Sequence, residues 1–278
     1  MRNTLHNAAV PATHSRRAAF YVLRSPFYVL LVGPIAALML YALSTRWFFP
    51  QLLPAEWTLA PLLRQLGDPR TQAAVGTSLL TAGATTALAL LLGLPAARVL
   101  GLRRFRGRSL VLLILFLPNV VPPLAIGMGL NVLFLRLGLA GSVAGVVLVH
   151  LVPVLPYAIF ALLGVFARYD EGYELQARSL GASPTHVWLR VALPLLGPGL
   201  AVAALFAFLV SWSQYVLTLL IGGGRVITLP VLLFAAVSGG NPTSIAGLAL
   251  LFAAPPVVAI ALAARALSAG AAEVGQQY

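Results

Sequence analysis

Apolar residues fill this chain in long unbroken runs, and polar residues collect in short stretches between them. Cutting the sequence at its charged residues leaves six charge-free windows, 25–45, 71–97, 109–135, 137–167, 191–224 and 226–264, of 21, 27, 27, 31, 34 and 39 residues. Each can hold the roughly 20 apolar residues that cross a bilayer as an α-helix. The pattern predicts an all-α polytopic membrane protein with about six transmembrane helices over 25–267, flanked by tails at 1–24 and 268–278. The last two windows take in IGGGRVITLP (221–230) and SGGNPTS (238–244), so part of their length is read as loop or re-entrant backbone. The segment TLPVLLFAAV (228–237) is too short to span, and such backbone is tolerated at membrane depth only where protein or a cavity covers it.

Charge adds an orientation. All 18 basic residues are arginine. With the N-terminus inside, thirteen fall on the cytoplasmic side and five (Arg46, Arg64, Arg70, Arg136, Arg225) outside. The positive-inside rule then places both termini in the cytoplasm. A net charge of +12 could suggest nucleic acid, but these arginines flank spans instead of lining one face. Topology and anionic lipid account for them, and no nucleic-acid partner is expected. The absence of cysteine removes disulfides and cysteine-based metal or redox chemistry. Residues 1–24 contain no apolar core of signal-peptide length and are expected to form a disordered cytoplasmic tail.

Between the windows, RWFFPQLLPAEWTLAPLLRQLGDPR (46–70) suits an external loop carrying a short interfacial helix, with Trp47 and Trp57 at headgroup level. GLRRFRGRS (101–109) is a tight basic turn on the inside. In LPNVVPPLAIGMGLN (117–131), Pro118, Pro122 and Pro123 free backbone carbonyls that a neighbouring helix, side chain or water has to satisfy, so a kink is expected there.

The longest internal connection, RYDEGYELQARSLGASPTHVWLR (168–190), carries three of the six acidic residues. Tyr173, Ala177 and Leu180 fall on one helical stripe, and Glu174 precedes Arg178 by four, the favourable order for an ion pair. Gly181 stands where a helix C-cap belongs. Ser183 reads as the N-cap of a second helix with Pro184 at its first position. Two short helices hinged at Gly181–Ser183 are therefore expected, ending where Leu193-Pro194 re-enters the membrane. Held between two spans, they would present a rigid knob to the cytoplasm.

This loop resembles the cytoplasmic motif of the membrane subunits of binding-protein-dependent ABC importers. Gly181 is followed by nine residues, then Val191, one residue and Leu193-Pro194, and Ala177 matches the second alanine of the motif's opening. Leu175 and Gln176 depart from the motif's glutamate and first alanine, with Glu174 one residue early. The six spans, the proline-bearing central span and SWSQYVLTLLIGGGRVITLPVLLF (211–234) resemble the spermidine/putrescine-type branch. The resemblance implies a type I importer permease fold with a cytoplasmic coupling loop at 168–194, in a bacterial or archaeal inner membrane. It implies as partners an ABC ATPase dimer, a second permease, identical or not, and an extracytoplasmic solute-binding protein. Glu174, Ala177, Leu180, Gly181, Ala182, Ser183 and Pro184 would form the ATPase-coupling surface. A chain without lysine cannot supply a P-loop lysine, which agrees with ATP being hydrolysed by another polypeptide.

Polar residues inside spans are costly and mark function by default. Asn119 and the cluster Trp212, Ser213, Gln214 and Tyr215 are the pathway candidates; Asn131, His150 and Ser211 are the other polar residues at depth. His150 has no second ligand at metal-binding spacing and reads as a packing histidine; no metal or cofactor is expected. The resemblance implies a polyamine-like or other small organic solute or ion. With no Asp or Glu inside the six windows, a polycation loses support and a neutral or anionic solute gains it. The same absence argues against the alternative of an ion-gradient-driven secondary transporter, and with no nucleophile–base or carboxylate pair at depth an intramembrane enzyme gains no support.

Overall fold

The computed structural model describes residues 30, 32–44, 47, 51, 53, 54 and 56–275. Its regular elements are helices, apart from one isolated antiparallel bridge between Ser44 and Trp57. In chain order they are α1 (Val32–Ala42), α2 (Ala60–Gly67), α3 (Pro69–Leu102), α4 (Arg108–Val120), α5 (Pro123–Arg136) and α6 (Val143–Phe166). They continue with α7 (Gly172–Ser179), α8 (Pro184–Val187), α9 (Leu193–Trp212), α10 (Val216–Gly222), α11 (Leu229–Gly239) and α12 (Pro242–Gly275). Among the described residues, α3, α6, Pro184–Trp212 and Pro242–Ser268 are long and apolar enough to cross a bilayer, giving four spans. The pair α4–α5 makes a fifth if counted as one. Of the first window, 25–45, the described part includes α1; the rest of it, the 1–24 tail and residues 276–278 lie outside the described residues.

The prolines explain the largest departure from six straight spans. Window 109–135 is two helices meeting at 98°, broken at Val121-Pro122. Pro122 and Pro123 have no N–H to continue the ladder of α4, and Pro123 instead starts α5 at a position where that loss costs nothing. Windows five and six are also divided, into α9–α10 and α11–α12, as the glycine-rich stretches imply. The segment 46–70 carries the expected short helix, α2, with Leu59, Leu63 and Leu66 exposed and Trp57 exposed just before it.

Helices α3, α6 and α9 form the centre. Asp68 caps α3 by accepting from the backbone N–H groups of Arg70 and Thr71, with Pro69 at the first position. The helix then runs 34 residues, and its buried stripe is almost all small: Ala74, Ser78, Ala82, Thr85, Ala89, Gly93 and Ala97. Small side chains at three- and four-residue spacing let helix backbones approach closely, the source of association where lipid gives no hydrophobic drive. At one end Ala97, Leu100, Ile159, Leu162, Phe166, Leu196 and Ala203 pack together; nearer the middle Ala89, Val154, Ala158 and Ala207 do so. The outer faces of α4 and α5 leave Leu110, Leu113, Leu117, Val132 and Leu135 exposed, an apolar surface of the kind lipid or a second membrane subunit covers.

Candidate functional site

The loop after α6 folds as its caps dictate. Gly181 has φ +88°, the left-handed conformation that costs a side-chain-bearing residue and not glycine. Its N–H donates to the carbonyl of Arg178, and that of Ala182 donates to Ala177 at 3.1 Å, a Schellman pair closing α7. Ser183 then accepts from the N–H of His186 through its hydroxyl, with Pro184 at the first position of α8. The second helix is not a separate piece, as the sequence had suggested. A π-helical turn, Trp188–Ala192, joins α8 to α9, and Pro184–Trp212 is one 29-residue helix. Pro194, in the first turn of α9, follows that wider turn and, lacking an N–H, donates no ladder bond there.

Of the residues expected to dock a partner, the structure exposes most and turns one inward. Leu180 is 88% exposed, and Tyr173 and Leu175 stand out beside it. Gly181, Ser183 and Pro184 are exposed, while Ala177 and Ala182 are half-buried. Glu174, however, is 5% exposed. Its carboxylate accepts from Arg98 of α3 at 2.9 Å and from the Tyr169 hydroxyl at 2.7 Å, and the expected partner Arg178 is farther away at 3.8 Å. Glu174 therefore clamps α7 to α3 instead of facing outward. The Arg98 hydrogen bond holds its carboxyl below the ordinary range, against the opposing effect of burial. Burial, with the hydrogen bond to Glu174, pushes the Tyr169 phenol above its ordinary value, so it stays protonated and donating. Around this pair, Arg103 reaches Glu171 at 3.3 Å and the Arg98 guanidinium lies over the Trp188 ring at 5.4 Å. The sequence offered one signal for this cluster: Arg98 ends window 71–97, yet the helix runs past it to Leu102, so the arginine is on a span and not in the turn.

The pathway candidates separate. Ser213, Gln214 and Tyr215 occupy the break between α9 and α10, with Ser213 exposed and Tyr215 stacked on Phe234 of α11 at 4.2 Å. Asn119 lies half-buried next to the α4–α5 break. The two broken regions communicate through α5 and α10: Gly127 lies against Leu217 and Leu220, and the Asn131 amide donates to the Leu220 carbonyl at 2.9 Å. Trp212 is packed inside this chain. It is 2% exposed, stacked between Phe208 and Phe252, with its indole N–H donating to the Phe252 carbonyl.

His150 is satisfied on both ring nitrogens. The Thr218 hydroxyl donates to the Gln214 carbonyl, so its oxygen accepts from Nε2–H of His150 at 2.9 Å. Nδ1 is then bare and accepts from the Ser211 hydroxyl at 2.9 Å. One neutral imidazole thus bridges the residues on either side of the α9–α10 break. No group of three or more metal-ligating side chains occurs among the described residues.

Residues 89–269 match the family described as the binding-protein-dependent transport system inner membrane component. The chain belongs to that family. It is the permease subunit of an ABC importer, a multi-pass inner-membrane protein and not the subunit that hydrolyses ATP. Among its relatives, the molybdenum transport system permease ModB of Mycobacterium tuberculosis is 39% identical over 202 residues, covering 68% of this chain and 72% of that one. The molybdate/tungstate permease WtpB of Pyrococcus abyssi is 36% identical over 53% of this chain and 59% of its own. The 2-aminoethylphosphonate permease PhnV of Salmonella typhimurium, described as such provisionally, is 29% identical over 86% and 90%. In structure, a chain of a bacterial ABC transporter that imports the acidic polysaccharide alginate superposes with a TM-score of 0.70 at 18% identity, covering 94% of this chain and 99% of that one, which shows the fold. The spermidine/putrescine-type branch suggested by 211–234 is not represented by these relatives; the resemblance holds at the level of the family.

Proposed function

We propose that this permease imports a small tetrahedral oxyanion of the molybdate or tungstate class. The relatives' names supply that class, and one observation in the chain supports an anion: the spans carry no carboxylate. A polycation would need acidic partners at depth, whereas an anion is served by hydroxyls, amides and helix ends. The path runs past Asn119 and Ser213–Tyr215, where two helices are broken, with a second permease, identical or not, completing it. Both termini lie in the cytoplasm, and a binding protein delivers the solute from outside.

Coupling rests on the exposed residues Tyr173 and Leu175 of α7, on Leu180 at its C-terminal end and on the turn Gly181–Pro184. Leu180, an apolar side chain at the tip of a connecting loop, is 88% exposed among the described residues, and an ATPase groove would cover it. Ala177 and Ala182 back this surface, while Glu174 orients it from behind.

The test is ATP-driven uptake of labelled molybdate into vesicles holding the permease, its ATPase and its binding protein. Uptake is expected to be inhibited by tungstate and unaffected by putrescine. Competition by putrescine without competition by tungstate would overturn the oxyanion reading. Uptake under an ion gradient with no ATPase would favour a secondary transporter. Phosphonate, the class named for PhnV, is the further competitor to include.

A further inference from the structure

Helix α3 is fastened near one end to the proposed docking helix and near the other to the short helix α11. At the first end, Arg98 donates to Glu174 of α7 at 2.9 Å while lying over Trp188 of the π-helical turn. At the other, the Ser78 hydroxyl accepts the N–H of Leu229, first residue of α11, at 2.7 Å. Thr228, the N-cap of α11, makes no capping bond with its own side chain. Ser78 therefore supplies from α3 an acceptor for one of the N–H groups left unpaired at the start of α11. Glu174 (5% exposed), Ser78 (4%) and Leu229 (0%) are buried while the Arg98 side chain is 26% exposed, so it is the Ser78–Leu229 link that is closed to water. Between residues 78 and 98 the helix is unbroken, although Pro95 removes one ladder hydrogen bond within it, and it spans roughly 30 Å at 1.5 Å per residue.

We propose that Arg98 and Ser78 are the two attachment points of a rigid rod, through which displacement of α7 is carried along α3 to α11. This rests on the reading that α7 docks an ATPase. An ion pair and a capping hydrogen bond are directional, unlike the apolar contacts that make up most of the packing between them, where a polar link to another helix, from the Thr85 hydroxyl to the Val147 carbonyl of α6, is longer at 3.4 Å. Helix α11 is the natural load: at 11 residues it is too short to span, it touches the pathway break through Phe234 and Tyr215, and its N-terminus is held from α3. Arg98 and Ser78 are positioning residues and touch no solute.

The chain contains no cysteine, so one can be placed at will. A nitroxide at Val237→Cys, an exposed position on α11, is read in the permease–ATPase complex without nucleotide and after trapping with ATP and vanadate. Trapping is expected to change the spectrum in the otherwise unaltered chain. Arg98→Gln and Ser78→Ala should each shrink that change by roughly two- to tenfold with the ATPase still bound, within the range seen for residues along coupling routes. The double variant should lose no more than the larger single, because both cut one link. If Arg98→Gln fails to assemble, Arg98→Gln/Glu174→Gln removes both charges and is read in the same way. An undiminished response in both single variants, or no response at Val237→Cys at all, overturns the rod. Failure of the unaltered chain to retain an ATPase would instead refute the docking reading, and shows before any spectrum is taken.

Discussion

Gly181 offers the sharpest test of the hinge, because its backbone and its surroundings make opposite demands. A Cβ built there would meet nothing within 4 Å, so the site tolerates volume. Its φ of +88° does not tolerate a Cβ, which in the left-handed region costs about 1–2 kcal/mol. Gly181→Ala should therefore cost nearly as much as Gly181→Val, while Gly181→Asn, whose side chain suits left-handed backbone, should cost clearly less. Strain of about 1–2 kcal/mol lowers the population of the docking-competent turn by roughly 5- to 30-fold, and the apparent affinity for the ATPase by the same factor. The assay is a titration of purified ATPase onto the permease in nanodiscs, with melting of the isolated permease as a control for fold. Wild-type affinity for Gly181→Ala beside a large loss for Gly181→Val would mean that bulk and not backbone matters, and the reasoning would fail.

Glu174→Gln removes a buried acceptor of charge-assisted hydrogen bonds and should lower stability by about 1–3 kcal/mol, read as a lower melting temperature in detergent. Because the folded carboxyl titrates below its ordinary 4.5, its contribution is fully present above that pH and is lost as pH falls through the lower folded value. A step in wild-type stability below about pH 4.5 that is absent from Glu174→Gln is expected. Gly145→Ala would drive a Cβ into the Leu139 carbonyl, which is backbone and cannot rotate away, whereas Gly164→Ala meets nothing within 4 Å. The first should cost about 1–3 kcal/mol and the second well under 1, by thermal melting of the two variants side by side. His150→Ala strips buried Ser211 and Thr218 of a shared partner and should destabilise by roughly 2–4 kcal/mol, with His150→Gln recovering part of it; equal melting of the two variants would show that the hydrogen bonds are not what matters.

The features that proved readable are those whose cause is local. Gly181, Ser183 and Pro184 announce a helix end and a helix start because cap chemistry depends on a few adjacent residues, and the structure places α7 and α8 on either side of that turn. The prolines at 118, 122 and 123 announced a kink, though not that it would reach 98° and divide the span in two. From sequence the second helix is expected to end at Leu193-Pro194, which does not anticipate the π-helical turn by which α8 continues into α9.

The sequence by itself determined that this chain lives in a membrane, which stretches form its apolar helices and where its connecting loop turns, though not that window 109–135 divides in two. Those follow from transfer out of water and from backbone chemistry, which act residue by residue. Only the tertiary structure decided which face of each span meets protein, because apolar side chains suit lipid and protein interior alike and hydropathy cannot tell them apart. For that reason Trp212 read as a pathway residue, and the structure buries it between Phe208 and Phe252. Glu174 read as the acid nearest its i, i+4 arginine, yet its stronger partner is Arg98, 76 residues away. An ion pair of that kind is chosen by how α3 and α7 meet, and no stretch of sequence contains it.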